Sequence, residues 1–215
     1  MSSRALLLDF DGTVIDSVEM IYRCLDETAQ EELGTPFPRD LWEEHIGLPL
    51  IETFALLGPV AEQRAEVLIA GYRRRQEQCI DQVQPFPGIP EALGEIDRSG
   101  VRLAIVTTKL RRIAVRQLER VGLRERFQVV IGFDDCRAAK PDPEPFQLAM
   151  RALQVEPGRC AGAGDTAHDI HGARAAGCLA AAALWSGVAV DGLLGARPDR
   201  SLRHPQELVE LAASL

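Results

Sequence analysis

Basic residues are scarce in this chain of 215: 24 lysines and arginines face 32 aspartates and glutamates, for a formal charge of −8. That balance argues against a general nucleic-acid binder, which carries a basic stripe. The runs Arg73-Arg74-Arg75 and Arg111-Arg112 therefore read as solvated helix faces. Cysteine is sparse and unpatterned. Cys24, Cys79, Cys136, Cys160 and Cys178 form no C-x-x-C pair, and an odd number cannot all join within one chain. They read as buried thiols in a reducing compartment. No apolar run approaches the roughly 20 residues needed to span a bilayer, and no charged-then-apolar leader opens the sequence. The expectation is a cytoplasmic protein with no membrane partner. Internal repeats and low-complexity segments are missing as well.

What is present is patterned. Apolar residues make up 46% of the chain, enough for one large domain or a domain with an insertion. The opening stretch RALLLDFDGTVIDS begins with a short run of Ala and Leu. Four later segments share that character: 102–108, 128–132, Cys160–Gly164 and 179–185. Unbroken apolarity, without alternation, predicts strands covered on both faces, as in a parallel sheet. Helical patterns lie between them. The segment 110–121 sets Ala114, Leu118 and Val121 on one stripe and stops at Gly122. The segment 143–153 opens on a proline and spaces Phe146, Met150 and Leu153 for a helix, and 167–176 ends at Gly177. Strand and helix in alternation predict an α/β fold: a doubly wound, parallel, five-stranded Rossmann-like core.

One stretch breaks the alternation. Residues 17–84 show no strand, only helical patterns at Val18–Leu33, 40–45, 50–57 and 60–80. The segment PFPGIP then returns the chain to the alternating pattern, with a crossover helix expected at 89–99. The simplest organisation is a core of residues 1–16 and 85–215, with an all-helical cap of residues 17–84 inserted after the first strand. Such an insertion would stand over the C-terminal strand ends, where open α/β sheets bind ligands. Near the end of the chain, Leu208, Leu211 and Leu215 predict a helix within 203–215 that packs on the sheet edge.

In this architecture the polar residues after each strand matter most. Strand one delivers Asp9 and Asp11, and strand two delivers Thr107, Thr108 and Lys109. Strand three is followed by Asp134, Asp135 and later Lys140; strand four is followed by Asp165 and Asp169. Asp9 and Asp11, two apart in an extended segment, point the same way. Asp165 and Asp169 share a face if a helix begins between them. Two carboxylates about 4 Å apart repel by roughly 4 kcal/mol at an effective dielectric near 20, so the cluster requires cations. A hard divalent ion with few carboxylate ligands and several waters fits Mg²⁺, and Lys140 can add positive charge. Thr107, Thr108 and the amides after Asp9 can donate to an anion. A carboxylate nucleophile can form an aspartyl-phosphate, with cations and hydroxyl or amide donors holding the transferred group. A second acid can protonate the leaving oxygen and later activate water. His168 and His171 flank Asp169, but hard-oxygen chemistry accounts for the site without them. Asp134 and Asp135 read as turn residues, and Asp16 as the cap of the first inserted helix.

DFDGTVIDS, the apolar strand ending in Thr107, Lys140 within AAKPDPEPF, and GDTAHDI resemble, in order, the four motifs of the haloacid dehalogenase-like superfamily. PFPGIPEAL and GARAAG resemble its phosphoglycolate phosphatase-like branch, and the insertion resembles its small helical cap. The resemblance covers nearly the whole chain. It implies Asp9 as nucleophile and Mg²⁺ ligand, and Asp11 as general acid/base that also gives its backbone carbonyl to the metal. Thr107 and Lys140 would hold the phosphoryl group, with Lys140 restraining Asp9 and with Gly12 and Thr108 in contact. Asp165 would complete the metal site, with Asp169 bound directly or in support. The cap turn His45-Ile-Gly-Leu-Pro49 would face substrate through His45 and Gly47. An acid at position 11 favours phosphoryl chemistry over dehalogenation. Thr108 stands where close relatives carry Asn or Ser. The implied activity is a Mg²⁺-dependent phosphatase for a small phosphorylated metabolite, phosphoglycolate first, acting as monomer or homodimer. A phosphosugar mutase and an inorganic pyrophosphatase of the same superfamily are the enzymatic alternatives. The non-enzymatic one is a phospho-aspartate switch, against which the insertion and the early position of Asp9 argue, or a binding module, against which the filling of every catalytic position argues.

Overall fold

The computed structural model describes residues 3–215. Strand β1 (Ala5–Leu8) opens the chain, and the two-residue strands β2 (Ile15–Asp16) and β3 (Gln84–Pro85) pair antiparallel. Strands β4 (Arg102–Val106), β5 (Val129–Ile131), β6 (Cys160–Gly164), β7 (Leu179–Ala183) and β8 (Arg200–Leu202) follow. With β1 they form one parallel sheet in the order β5-β4-β1-β6-β7-β8. The chain runs outward from β1 to β5, then returns to the other side of β1. Such a reversal opens a crevice at the C-terminal strand ends.

The apolar run of β1 is buried on both faces. Leu6 and Leu8 join an apolar layer with Leu93, Ile96, Leu118 and Leu208. These come from α6 (Ile89–Arg98), α7 (Arg111–Arg120) and α11 (Glu207–Ala213). Ala5 and Leu7 point the other way, into a layer with Phe146, Met150, Ile170 and Ala173 from α8 (Glu144–Leu153) and α9 (Ala167–Ala175). Opposite projection of successive strand side chains makes one short segment serve both layers.

Between β2 and β3 the chain is helical: α1 (Val18–Leu33), α2 (Arg39–Glu44), α3 (Leu50–Ala55), α4 (Pro59–Gln63) and α5 (Ala65–Gln78), closed by a 3₁₀ turn at Ile80–Gln82. These helices share their own core of Leu25, Phe37, Trp42, Phe54, Leu68 and Tyr72. Arg74 and Arg75 on α5 pair with Glu31 on α1, and Arg75 also with Glu27.

Several expectations need correction. The sheet has six strands, not five, because β8 joins at the edge; only its Leu202 is buried, so no apolar run marks it. Between β7 and β8 lies α10 (Val190–Gly195), equally unmarked. The helix expected over 60–80 is broken at Arg64, whose guanidinium reaches the backbone and carboxylate of Glu32. Asp16 sits exposed in β2, and Ser17 takes the N-cap position of α1. Cys79 and Cys136 are half-buried, unlike the other three thiols. Among the described residues no helix is long and apolar enough to cross a membrane.

β6 reads CAGAG, and its lack of bulk brings α8 and α9 close to the sheet. A Cβ at Gly162 would lie 2.5 Å from the Ala173 Cβ and 2.9 Å from Cε1 of Phe146. Gly162→Ala is therefore expected to destabilise the fold by about 1–3 kcal/mol through overpacking. Urea unfolding should show a lower midpoint with an unchanged slope; an unchanged midpoint would show that α9 yields freely.

Candidate active site

Asp9 follows β1 directly, and its N–H donates to the Ala163 carbonyl at 2.9 Å, tying the loop to β6. The chain then turns through Gly12, which has φ of 76° and donates its N–H to the Ile15 carbonyl. A Cβ at Gly12 would fall 1.9 Å from Oδ2 of Asp165, so the approach of the two loops requires glycine here. Thr13 adds a hydroxyl bond to Oδ1 of Asp165 at 3.1 Å.

Asp9, Asp165 and Asp169 each bring a carboxylate oxygen within 4.8 Å of the others, and all three are buried. Lys140 joins them. Its ammonium donates to Oδ1 of Asp9 at 2.8 Å, to Oδ1 of Asp169 at 2.5 Å and to the Val106 carbonyl at 3.2 Å. The other oxygen of Asp169 accepts the N–H and hydroxyl of Thr166, at 3.1 and 2.7 Å. With both oxygens occupied, Asp169 is placed to orient Lys140 and the start of α9. Oδ2 of Asp165 accepts no hydrogen bond among the described residues.

The electrostatics follow from burial. Asp9 is pushed up to about 7, mainly by burial and also by Asp169, against the opposing pull of Lys140 and the Phe10 amide. Burial, then Asp9 and Asp169, hold Asp165 well above the usual carboxylate range. Burial lowers Lys140, yet Asp169 and Asp9 more than offset it and leave its value raised. With all three carboxylates ionised, one ammonium would leave two negative charges without a counterpart. An all-oxygen donor set with that deficit fits a hard divalent cation.

Asp11 stands apart from this cluster. Its Oδ1 accepts the Lys109 ammonium and the Ser17 hydroxyl, each at 2.5 Å. Its side chain is thus not among the clustered metal-ligand candidates. Lys109, only 3% exposed in its side chain, also donates to Oε1 of Gln117 at 3.0 Å and lies 5.1 Å from the Phe10 ring centre. The sequence places Lys109 at a strand end but assigns it no role, because a lysine there is ordinarily solvated. The Thr107 hydroxyl accepts the Lys109 N–H at 3.1 Å.

Asp9, Asp11, Thr107, Thr108 and Asp165 line one side of a cleft of about 340 Å³, opposite Trp42, Gly47, Leu48, Ile69 and Tyr72 of the helical layer. Gly47, with φ of 98°, packs so closely on α9 that a Cβ would lie 3.0 Å from His168 and 3.2 Å from the Thr166 hydroxyl. His45 is not brought into the cleft; its Nδ1 lies 2.9 Å from the Leu41 carbonyl. Asp134 and Asp135 accept the N–H groups of Arg111 and Gly132, as turn residues do. Arg73 does not share the solvated face of Arg74: it lines the cleft.

The family model for haloacid dehalogenase-like hydrolases matches residues 6–183. The chain is a haloacid dehalogenase-like hydrolase. Members of the family generally use a divalent metal, in keeping with the acid cluster. The hydrolase is 34% identical over 212 residues to Pyrophosphatase PpaX of Halalkalibacterium halodurans, covering 98% of this chain and 97% of that one. It is 32% identical to Pyrophosphatase PpaX of Bacillus velezensis, covering 96% and 95%. Among solved structures, a provisionally named phosphoglycolate phosphatase from Lactobacillus plantarum matches with a TM-score of 0.89 at 25% identity, covering 98% and 100%.

Two outcomes follow for this hydrolase. Without a divalent ion, Asp9 in the folded chain keeps its proton to about pH 7, against 3.8 when unperturbed. The folded state then binds more protons across that window, so stability falls as pH rises through it. In EDTA the melting temperature should drop between about pH 4 and about pH 7, and saturating Mg²⁺ should flatten that drop. Parallel pH profiles with and without Mg²⁺ would contradict the charge deficit. Lys109→Met leaves the Asp11 carboxylate without its cation, and phosphate release should fall roughly tenfold to a hundredfold with an altered pH profile. A uniform fall with the wild-type profile would mean a packing role only.

Proposed function

We propose that this hydrolase is a Mg²⁺-dependent phosphatase that works through an aspartyl-phosphate on Asp9, with inorganic pyrophosphate as substrate ahead of phosphoglycolate. The observation that carries the mechanism is the division of two acids in one cleft. Asp9 is fixed by Lys140 in the buried cluster, whereas Asp11 is held separately by Lys109 and Ser17. Separate environments suit separate roles.

In the first step a carboxylate oxygen of Asp9 attacks phosphorus and the bond to the leaving oxygen breaks. Asp11, entering the cycle protonated, gives its proton to that oxygen and is left as the carboxylate that Lys109 holds. In the second step Asp11 takes a proton from water, the hydroxide oxygen attacks phosphorus, and the Asp9–phosphorus bond breaks to release phosphate. Lys140, whose three N–H groups go to Asp9, Asp169 and the Val106 carbonyl, favours the ionised form of Asp9, while Thr107 in the cleft wall can donate its hydroxyl to the transferred group. Mg²⁺, held by Asp9, Asp165 and the Asp11 carbonyl with Asp169 in support, would neutralise charge on that group. The helices of 17–84 would act as a cap, closing on the β2–β3 crossing to exclude bulk water.

The substrate order rests on similarity along the whole chain to proteins named pyrophosphatase, at 34% and 32% identity. The 25% identical structure provisionally named phosphoglycolate phosphatase favours the second reading. Phosphate release from pyrophosphate, phosphoglycolate, sugar phosphates and nucleotides, with Mg²⁺ or EDTA, tests both. Pyrophosphate should lead, EDTA should abolish release, and Asp9→Asn should lower it roughly a thousandfold or more. Undiminished release by Asp9→Asn would remove the covalent route, and a different best substrate would reassign the specificity.

A further inference from the structure

Three consecutive arginines on α5 have different fates. Arg74 and Arg75 turn to α1 and pair with its glutamates. Arg73, about 100° round the helix from Arg74, turns into the cleft and forms no ion pair among the described residues. Its Nε is buried and has no hydrogen-bond partner among the described residues. A buried donor left unmatched is costly, more so on a charged group. Such a group at a cleft wall calls for an explanation, and an anionic ligand supplies one.

The surroundings define that ligand. Ile69, Tyr72, Arg73 and Gln76 present one face of α5 to the cleft, opposite Asp9 and Asp11. Apolar walls from Trp42 and Ile69 strengthen a charge–charge contact by excluding water. Gln76 donates to the Tyr72 hydroxyl at 3.2 Å, fixing the neighbouring polar side chains. A guanidinium offers paired donors matched to carboxylate or phosphate oxygens.

We infer that Arg73 binds a second anionic group of the substrate, so that the leaving group itself carries negative charge. The inference rests on the phosphatase reading and narrows its substrate class. A molecule reaching from Asp9 to Arg73 puts its reacting phosphoryl group on the sheet side and its other anion on the helical side. Neutral alcohols would leave Arg73 unmatched and be selected against. Both a second phosphoryl group and a carboxylate have the required chemistry.

The test compares kcat/KM within each enzyme form for pyrophosphate and phosphoglycolate, each divided by kcat/KM for p-nitrophenyl phosphate, whose leaving group brings no second anion. The ratio cancels any loss of folded protein. In Arg73→Gln at least one ratio should fall about tenfold to a hundredfold, chiefly through KM, as loss of a charge-assisted bond predicts. Arg73→Lys should recover part of it. A fall for pyrophosphate assigns the subsite to a second phosphoryl group, and a fall for phosphoglycolate assigns it to a carboxylate; either supports the inference. Both ratios within about twofold of wild type would overturn it. Failure of the wild-type enzyme to release phosphate even from p-nitrophenyl phosphate would instead defeat the phosphatase reading.

Discussion

Lys140 places a single positive charge among three buried carboxylates, and the loops at the strand ends are arranged around that cluster. Its ammonium bridges Asp9, which follows β1, and Asp169, which sits in the first turn of α9. Removing one member of such a buried set strands the others and typically costs about 3–5 kcal/mol. A site that is costly to keep charged is kept here by coordinated supports: Thr13 on Asp165, Thr166 on Asp169 and the Val106 carbonyl on Lys140. Those supports leave the cluster short of positive charge and ready for a cation, which is the condition that phosphoryl chemistry needs.

Much of this organisation is legible in the sequence, for physical reasons that differ along the chain. The unbroken apolarity of β1 means burial on two faces, and its side chains enter two separate layers. Val18–Leu33 is read to the residue because amphipathic spacing runs unbroken up to Gly34, where the αL backbone stops the helix. By contrast, β8 has one buried residue and β2 and β3 have two residues each, too few for any period to register. The break at Arg64 has no proline or glycine to announce it.

The site shows the same divide. Asp9, Lys140, Asp165 and Asp169, which the ordered motifs single out after successive strands, lie together in the structure. Thr166, at the N-cap of α9, also donates its N–H and hydroxyl to the Asp169 carboxylate, a pairing signalled by T-x-x-D itself. Lys109 and Arg73 are missed for another reason. A lysine after a strand and an arginine within a basic run look solvated in one dimension. Only the packing of α7 beside Asp11, and of α5 over the cleft, turns them inward.

The antiparallel pairing of Ile15 with Pro85 and Asp16 with Gln84 has a consequence for how such a chain can change over time. The point where the backbone leaves the sheet layer lies beside the point where it returns. From the sheet's side, everything between them is one long loop whose ends are already joined. Loop-closure entropy rises only with the logarithm of length, by about 0.6 kcal/mol per doubling. Segments of very different size can therefore be spliced at this crossing with no change in strand register, so the chemistry at the strand ends and the enclosure above it are free to diversify independently.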